Sequence, residues 1–146
     1  MRENLDPMHN VLIIDDNKTL CRTLAKTVAR LGMKASYETT LQDGLSRAAR
    51  ADFDVVFLDV KLPDGNGLDG IERLRRGSFP PEVIIITGHG SENKAETAIR
   101  SGAWDYIEKR SSFQNVRLAL TRAIQYREQK REIGRASCRE RVCHRV

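Results

Sequence analysis

Apolar residues along the chain are grouped in two alternating ways. Short unbroken runs, Val11–Ile14, Val55–Leu58 and Val83–Ile86, are rich in β-branched side chains and have the length of strands covered on both faces. Between them the apolar positions recur every third or fourth residue. Leu20, Leu24, Val28 and Leu31 predict a first helix, with Gly32 as its stop. Further helices are predicted over Leu41–Ala49, with Leu45, Ala48 and Ala49 inward, over Leu68–Arg76 through Ile71 and Leu74, over Glu92–Ser101, and from Phe113 to about Glu128. Lys34–Glu38 and Ala103–Ile107 read as two weaker, mixed strands. Strand and helix therefore alternate five times, the pattern of an α/β domain whose parallel strands need helical crossovers. Mixed strands belong at the edges of such a sheet. A doubly wound five-stranded sheet of order 2-1-3-4-5 satisfies this and makes the first and third strands neighbours.

The polar residues that end these strands matter more than the strands themselves. The first runs into Asp15 and Asp16, the third into Asp59, the fourth ends at Thr87 before Gly88, and Lys109 follows the fifth. In a sheet of this kind ligands bind beyond the carboxyl ends of the strands, so all five side chains share one crevice. Taken singly, Asp16 or Asn17 would serve as a helix cap, Asp59 as a turn residue before Pro63, and Thr87 as a plain strand end. Together, three carboxylates in a partly desolvated crevice call for a cation. A hard divalent ion such as Mg2+ suits an oxygen site that works on phosphate. A carboxylate nucleophile, a metal, a hydroxyl and a lysine are the parts that phosphoryl transfer asks for.

Composition narrows the picture. The 146 residues are 40% hydrophobic and 31% charged, enough for one domain with a single core, and no apolar run approaches the ~20 residues of a membrane span. The start, MRENLDPMHN, lacks the apolar stretch of a signal peptide, so a cytoplasmic location is expected. Residues 1–9 read as a loose terminus. The net charge of +5 invites a nucleic-acid reading, but four arginines against one acid lie in Ile133–Val146, leaving 21 basic and 19 acidic residues elsewhere. No direct nucleic-acid binding is expected. Cys138 and Cys143 share that tail, Cys21 is alone in the body, and no disulfide framework is implied. With His144 the tail cysteines make only three ligands, a weak zinc pattern.

The pair Asp15-Asp16, Asp59 with Pro63 and Gly67 behind it, Thr87-Gly88, and Tyr106 three residues before Lys109 resemble the receiver domain of bacterial two-component response regulators. The resemblance spans about Asn10 to Glu128 and implies a flavodoxin-like fold. It also implies that Asp59 accepts a phosphoryl group from a sensor histidine kinase or a phosphotransfer protein. Asp16, Asp59 and the backbone carbonyl of Lys61 would hold Mg2+, with Asp15 acting through water. Lys109 and Thr87 would meet the phosphoryl oxygens. Tyr106 would follow Thr87 inward and remodel the face of the fourth helix, fifth strand and fifth helix, a candidate homodimer surface. One departure stands out. Receivers usually place proline, in a cis peptide, after this lysine, whereas the next residue here is Arg110. A cis bond before a non-proline residue costs about 2.5–4 kcal/mol, so either Lys109 is less well placed or the loop is trans.

Two rival readings remain. Gly65, Gly67 and Gly70 match the dinucleotide fingerprint G-x-G-x-x-G, but they follow the third strand and no acid ends the next one. A Mg2+-dependent phosphohydrolase of the haloacid-dehalogenase type would carry an aspartate two residues after its nucleophile, where Lys61 stands. The reading is therefore a signalling phosphoacceptor, not an enzyme acting on free substrates. A degenerate receiver that binds partners without phosphate is the other alternative.

The last helix runs on as ALTRAIQYREQKRE, residues 119–132, a charged extension that resembles linkers joining a receiver to an effector. GAWDYIEK with RAIQYREQK is similar to receivers of AAA+ enhancer-binding transcription activators. Residues 129–146 are expected to be a linker remnant that ends in a non-native tail. IGRASCRERV, from Ile133, matches an in-frame translation of a common sequencing adapter. On this expectation a C-terminal output domain is missing.

Overall fold

The strands form where the unbroken apolar runs lie. In the computed structural model, which describes residues 8–88, 92–111 and 113–144 and only the backbone of 92–94 and 134–144, five strands pair in parallel. They are β1 (Asn10–Ile14), β2 (Lys34–Glu38), β3 (Val55–Leu58), β4 (Glu82–Thr87) and β5 (Asp105–Glu108), in the order β2-β1-β3-β4-β5. This is the expected 2-1-3-4-5 sheet. Ile14 lies opposite Leu58 and Leu58 opposite Ile85, so neighbouring strands end level. The Asp59 N–H donates to the Ile14 carbonyl at 2.9 Å, which seats Asp59 beside the end of β1.

Alternate side chains of the central strands face opposite layers. Val11, Ile13, Val55, Phe57, Ile84 and Ile86 pack with Cys21, Leu24 and Val28 of α1 (Lys18–Arg30) and with Val116 and Leu120 of α5 (Phe113–His144). Leu12, Ile14, Val56, Leu58, Val83 and Ile85 pack with Leu45 of α2 (Leu41–Arg50), Ile71 and Leu74 of α3 (Ile71–Leu74), and Ala98 of α4 (Glu92–Arg100). Each fully buried side chain of this size contributes about 1.5–3 kcal/mol, so both layers hold the sheet in register. Among the described residues no helix is long and apolar enough to cross a membrane.

Element ends depart from the sequence pattern for local reasons. Asn17 caps α1 by accepting the Leu20 N–H at 3.1 Å, and Gly32 ends that region at a φ of +83°. The helix expected over Leu68–Arg76 is instead a 3-10 turn, Gly67–Gly70, followed by the single turn of α3; two glycines at its start weaken a longer helix. β5 begins two residues later than expected, because the Ala103 N–H donates to the Ala98 carbonyl and closes α4. Ala49, expected inward, is exposed; the inward stripe of α2 is carried by Gly44 and Leu45, and Ala49 has rotated past its edge. α5 does not stop near Glu128 but runs 32 residues to His144, through a stretch free of proline and rich in Arg, Glu, Lys and Gln.

At the amino ends of the strands α5 is fastened by charge. Arg127 is 3% exposed; its Nε donates to Asp54 Oδ1 at 2.9 Å and its Nη1 to the Pro80 carbonyl at 2.6 Å. Lys130 donates to Glu82 Oε2 at 2.7 Å, and Arg131 lies 3.8 Å from Asp54 Oδ1. Phe79 stacks against the Arg127 guanidinium at 4.1 Å, and Trp104 stacks on Tyr126 at 4.5 Å. His9, in the segment expected to be loose, bonds to Glu128 at 2.8 Å.

Candidate functional site

At the opposite, carboxyl ends of the strands the expected residues meet. Asp15 is fully buried at the end of β1, Asp59 is 3% exposed at the end of β3, and Asp16 stands at the solvent side. One carboxylate oxygen from each falls within 4.8 Å of the others. Lys109, just past β5, reaches both buried acids: its Nζ lies 3.0 Å from Asp15 Oδ2 and 3.2 Å from Asp59 Oδ2. The aligned hydrogen bond goes to Asp59, so Asp15 Oδ2 is ion-paired but off the hydrogen-bonding angle. Asp15 Oδ1 accepts the Asn17 N–H at 2.8 Å. One ammonium thus faces three carboxylates.

The charge balance shows in the ionisation of these groups. Burial pushes the Asp15 carboxyl above the ordinary 3.8, against the pull of the Asn17 N–H and Lys109. Burial and then the neighbouring charge of Asp15 push Asp59 up, against Lys109 and the N–H of Lys61. For Lys109, burial works to lower the ammonium, but the contacts with Asp15 and Asp59 outweigh it and the net shift is upward. At about 4.8 Å and an effective dielectric near 20, the repulsion between two ionised carboxylates is on the order of 3 kcal/mol. A single lysine offsets only part of this. A buried carboxylate oxygen without an aligned donor, in an all-oxygen cluster of excess negative charge, fits a hard divalent cation.

The remaining site residues fall around this cluster. Thr87 closes β4 with a buried side chain, and its carbonyl accepts the Lys109 N–H at 2.7 Å. Tyr106 on β5 is half-buried against the core, with its hydroxyl shielded from solvent. The peptide after Lys109 is trans, and Lys109 still reaches both acids, so Arg110 leaves it in place; Arg110 itself is exposed and lies 3.6 Å from Glu108. Lys61 begins a two-stranded hairpin, Lys61–Leu62 with Gly65–Asn66, directly after Asp59. A Cβ at Gly67 would collide with the Asp59 carbonyl oxygen, which explains the glycine there. Cys21 is packed as expected, its thiol donating to the Asp15 carbonyl at 3.2 Å. His89 lies outside the described residues.

Sequence reasoning missed Asp64, which lies between the two strands of this hairpin. Its two oxygens accept the N–H groups of Leu41 and Gln42, at 2.8 and 2.9 Å, and so tie the hairpin to the start of α2. The only signal was an acid in a turn near a helix start 23 residues earlier in the chain.

Comparisons with known proteins agree with this geometry. The family described as the response regulator receiver domain matches residues 11–121. The chain is 38% identical over 102 residues to the KDP operon transcriptional regulatory protein KdpE of Escherichia coli (strain K12), covering 70% of this chain and 45% of that protein. It is 32% identical over 135 residues to the alginate biosynthesis transcriptional regulatory protein AlgB of Pseudomonas putida, covering 88% of this chain and 29% of that protein. The chain thus spans less than half the length of either relative. Among solved structures, the beryllofluoride-activated NtrC4 receiver domain dimer aligns with a TM-score of 0.77 at 32% identity, over 82% of this chain and 99% of that one. A response regulator from Burkholderia pseudomallei, with a phosphorylated aspartic acid and a calcium ion, aligns with a TM-score of 0.72 at 27% identity, over 84% of this chain and 72% of that one. With its sheet order, its acidic crevice and a family match across most of its length, the chain belongs to the receiver domains of two-component response regulators.

Proposed function

We propose that Asp59 is the phosphoryl acceptor and that a sensor histidine kinase, or a phosphotransfer protein, is the donor. One observation carries this reading: Asp15, Asp16 and Asp59 converge within 4.8 Å while Lys109 contacts both buried acids. A carboxylate oxygen of Asp59 attacks phosphorus, the phosphorus–nitrogen bond to the donor histidine breaks, and an acyl phosphate remains on Asp59. Asp16, Asp59 and the Lys61 carbonyl would hold Mg2+, with Asp15 acting through water. The metal supplies charge neutralisation at the transferring oxygens. Lys109 exchanges its carboxylate contacts for a phosphoryl oxygen, and the Thr87 hydroxyl donates to another.

The transferred group adds about two negative charges and strong acceptor oxygens. Thr87 and Tyr106 respond to them and alter the face of α4, β5 and α5. Ile99 on α4 and Leu118 on α5 are about half exposed, which supports that face as a contact surface for a second copy or another partner. An output domain beyond α5, transcriptional by analogy with the named relatives, would read the change.

The test is the intact mass of the chain after exposure to acetyl phosphate. The expected result is a gain of one phosphoryl group that requires Mg2+ and is lost in Asp59→Asn. Retention of the gain in Asp59→Asn would assign the acceptor elsewhere.

A further inference from the structure

At the start of α2 the N–H groups of Leu41, Gln42 and Asp43 have no partner inside the helix, and each has found one outside its hydrogen-bond ladder. Asp43 donates to Thr40 Oγ1 at 3.1 Å, a local cap, and the Gly44 N–H makes the first bond of the helix itself, to the Thr40 carbonyl at 3.0 Å. Leu41 and Gln42 donate instead to Asp64, at the turn of the hairpin that follows the phosphoacceptor. Those two N–H groups hold the Asp64 carboxyl below its ordinary value, the Gln42 contact most strongly. The same hairpin is closed at its other end by the Gly67 N–H on the Val60 carbonyl at 2.7 Å. Its first residue, Lys61, turns its backbone N–H toward the Asp59 carboxylate and favours the ionised form. The loop is therefore fixed at both ends, and the far fixing point lies on a different element of the fold.

We infer that Asp64 is a positioning residue for the cation site. By latching the hairpin to α2 it holds the backbone of Lys61 where its carbonyl serves as a ligand. This deepens the proposed function and rests on it. A loop already held in place loses little freedom when its carbonyl takes up a cation, whereas a loop released at its tip must be ordered by that event. The latch therefore acts on cation affinity and leaves the chemistry at Asp59 untouched once the cation is bound.

The test compares Asp64→Ala, Asp64→Asn and Thr40→Ala in the full chain. Mg2+ binding to the unphosphorylated protein is measured by calorimetry, and the rate of phosphorylation from acetyl phosphate is measured against Mg2+ concentration. Asp64→Ala is expected to weaken Mg2+ binding roughly tenfold, the lower end for residues that orient metal ligands. Its maximal rate at saturating Mg2+ should equal that of the unsubstituted chain. Asp64→Asn keeps one acceptor oxygen and should lie between them; it carries the test should the alanine variant fail to fold. Thr40→Ala removes a cap from the same helix without touching the hairpin. It should lose thermal stability while its Mg2+ affinity stays unchanged. Unaltered Mg2+ affinity in both Asp64 variants, or an equal loss in Thr40→Ala, would overturn the positioning role alone. An unsubstituted chain that bound no Mg2+ would overturn this role together with the proposed function.

Discussion

The two ends of β3 and β4 carry similar residues in opposite electrostatic situations. At the amino ends Asp54 and Glu82 meet Arg127, Lys130 and Arg131, so two acids face three cations. At the carboxyl ends Asp15 and Asp59, with Asp16 beside them, have Lys109 as the one cation paired with them among the described residues. The first group is closed: each nitrogen of the Arg127 guanidinium donates, one to Asp54 and two to backbone carbonyls, and Phe79 stacks on its face. The second is left open. A cluster that satisfies itself fastens the fold, while one that cannot satisfy itself keeps free energy in reserve for a ligand.

The contrast is broken most severely at the closed end. Arg127→Ala takes the buried guanidinium from the half-buried Asp54 and from two backbone carbonyls while Lys130 and Arg131 stay beside the acids, and a loss of about 2–3 kcal/mol is expected in urea unfolding, with phosphoryl uptake preserved in the folded fraction. A loss under about 1 kcal/mol would mean that the cluster is not closed. At the open end the sign reverses. Asp15→Asn removes a buried charge that burial and Asp16 already oppose, so the metal-free protein should gain about 1 kcal/mol while its Mg2+ affinity falls.

Acidity sharpens the same point. The folded-state values of Asp15 and Asp59 are raised above 3.8, so their contribution to stability is fully present below that pH and is lost as pH rises through the folded values. Without metal, melting temperature should fall across that window. Mg2+ should restore it only where the acids are ionised, and scanning calorimetry at several pH values with and without Mg2+ checks both. Arg110→Pro should raise the phosphorylation rate by about twofold at most, because Lys109 already contacts both acids. Stopped-flow phosphorylation with acetyl phosphate measures it. Smallest of all, a chain ending at Glu132 should unfold within about 0.5 kcal/mol of the full one, since among the described residues the last ion pair on α5 is that of Arg131.

The open end was legible in the sequence and the closed end was not. Asp15, Asp16 and Asp59 follow directly on unbroken apolar runs, so strand order alone brings them together. Arg127 sits in a charged stretch that reads as a solvated linker. Yet Val116, Ala119, Leu120, Ala123 and Ile124 form a buried stripe, and Arg127 continues it at the helical period. A lone cation on an apolar face, with acids at two strand starts, was the available signal. Asp64 gave less, since the helix it caps is distant in sequence and turns tolerate acids anywhere. Likewise, the register of α2 that turns Ala49 outward depends on Gly44 lying against Ile14, a contact that no periodicity reports.

Beneath the crevice, Cys21 offers a chemical clock. Burial, and next the charge of Asp15, push its thiol up to about 11, so at neutral pH only about one molecule in ten thousand carries the reactive thiolate even before access is considered. The sulfur is sealed between α1 and the sheet. In a chain ending at Glu132 it is the sole thiol. Alkylating reagents can then modify it only when the domain opens. The labelling rate of one native atom thus counts those openings, and its slowing by Mg2+ or phosphate would measure how tightly the crevice above holds the domain shut.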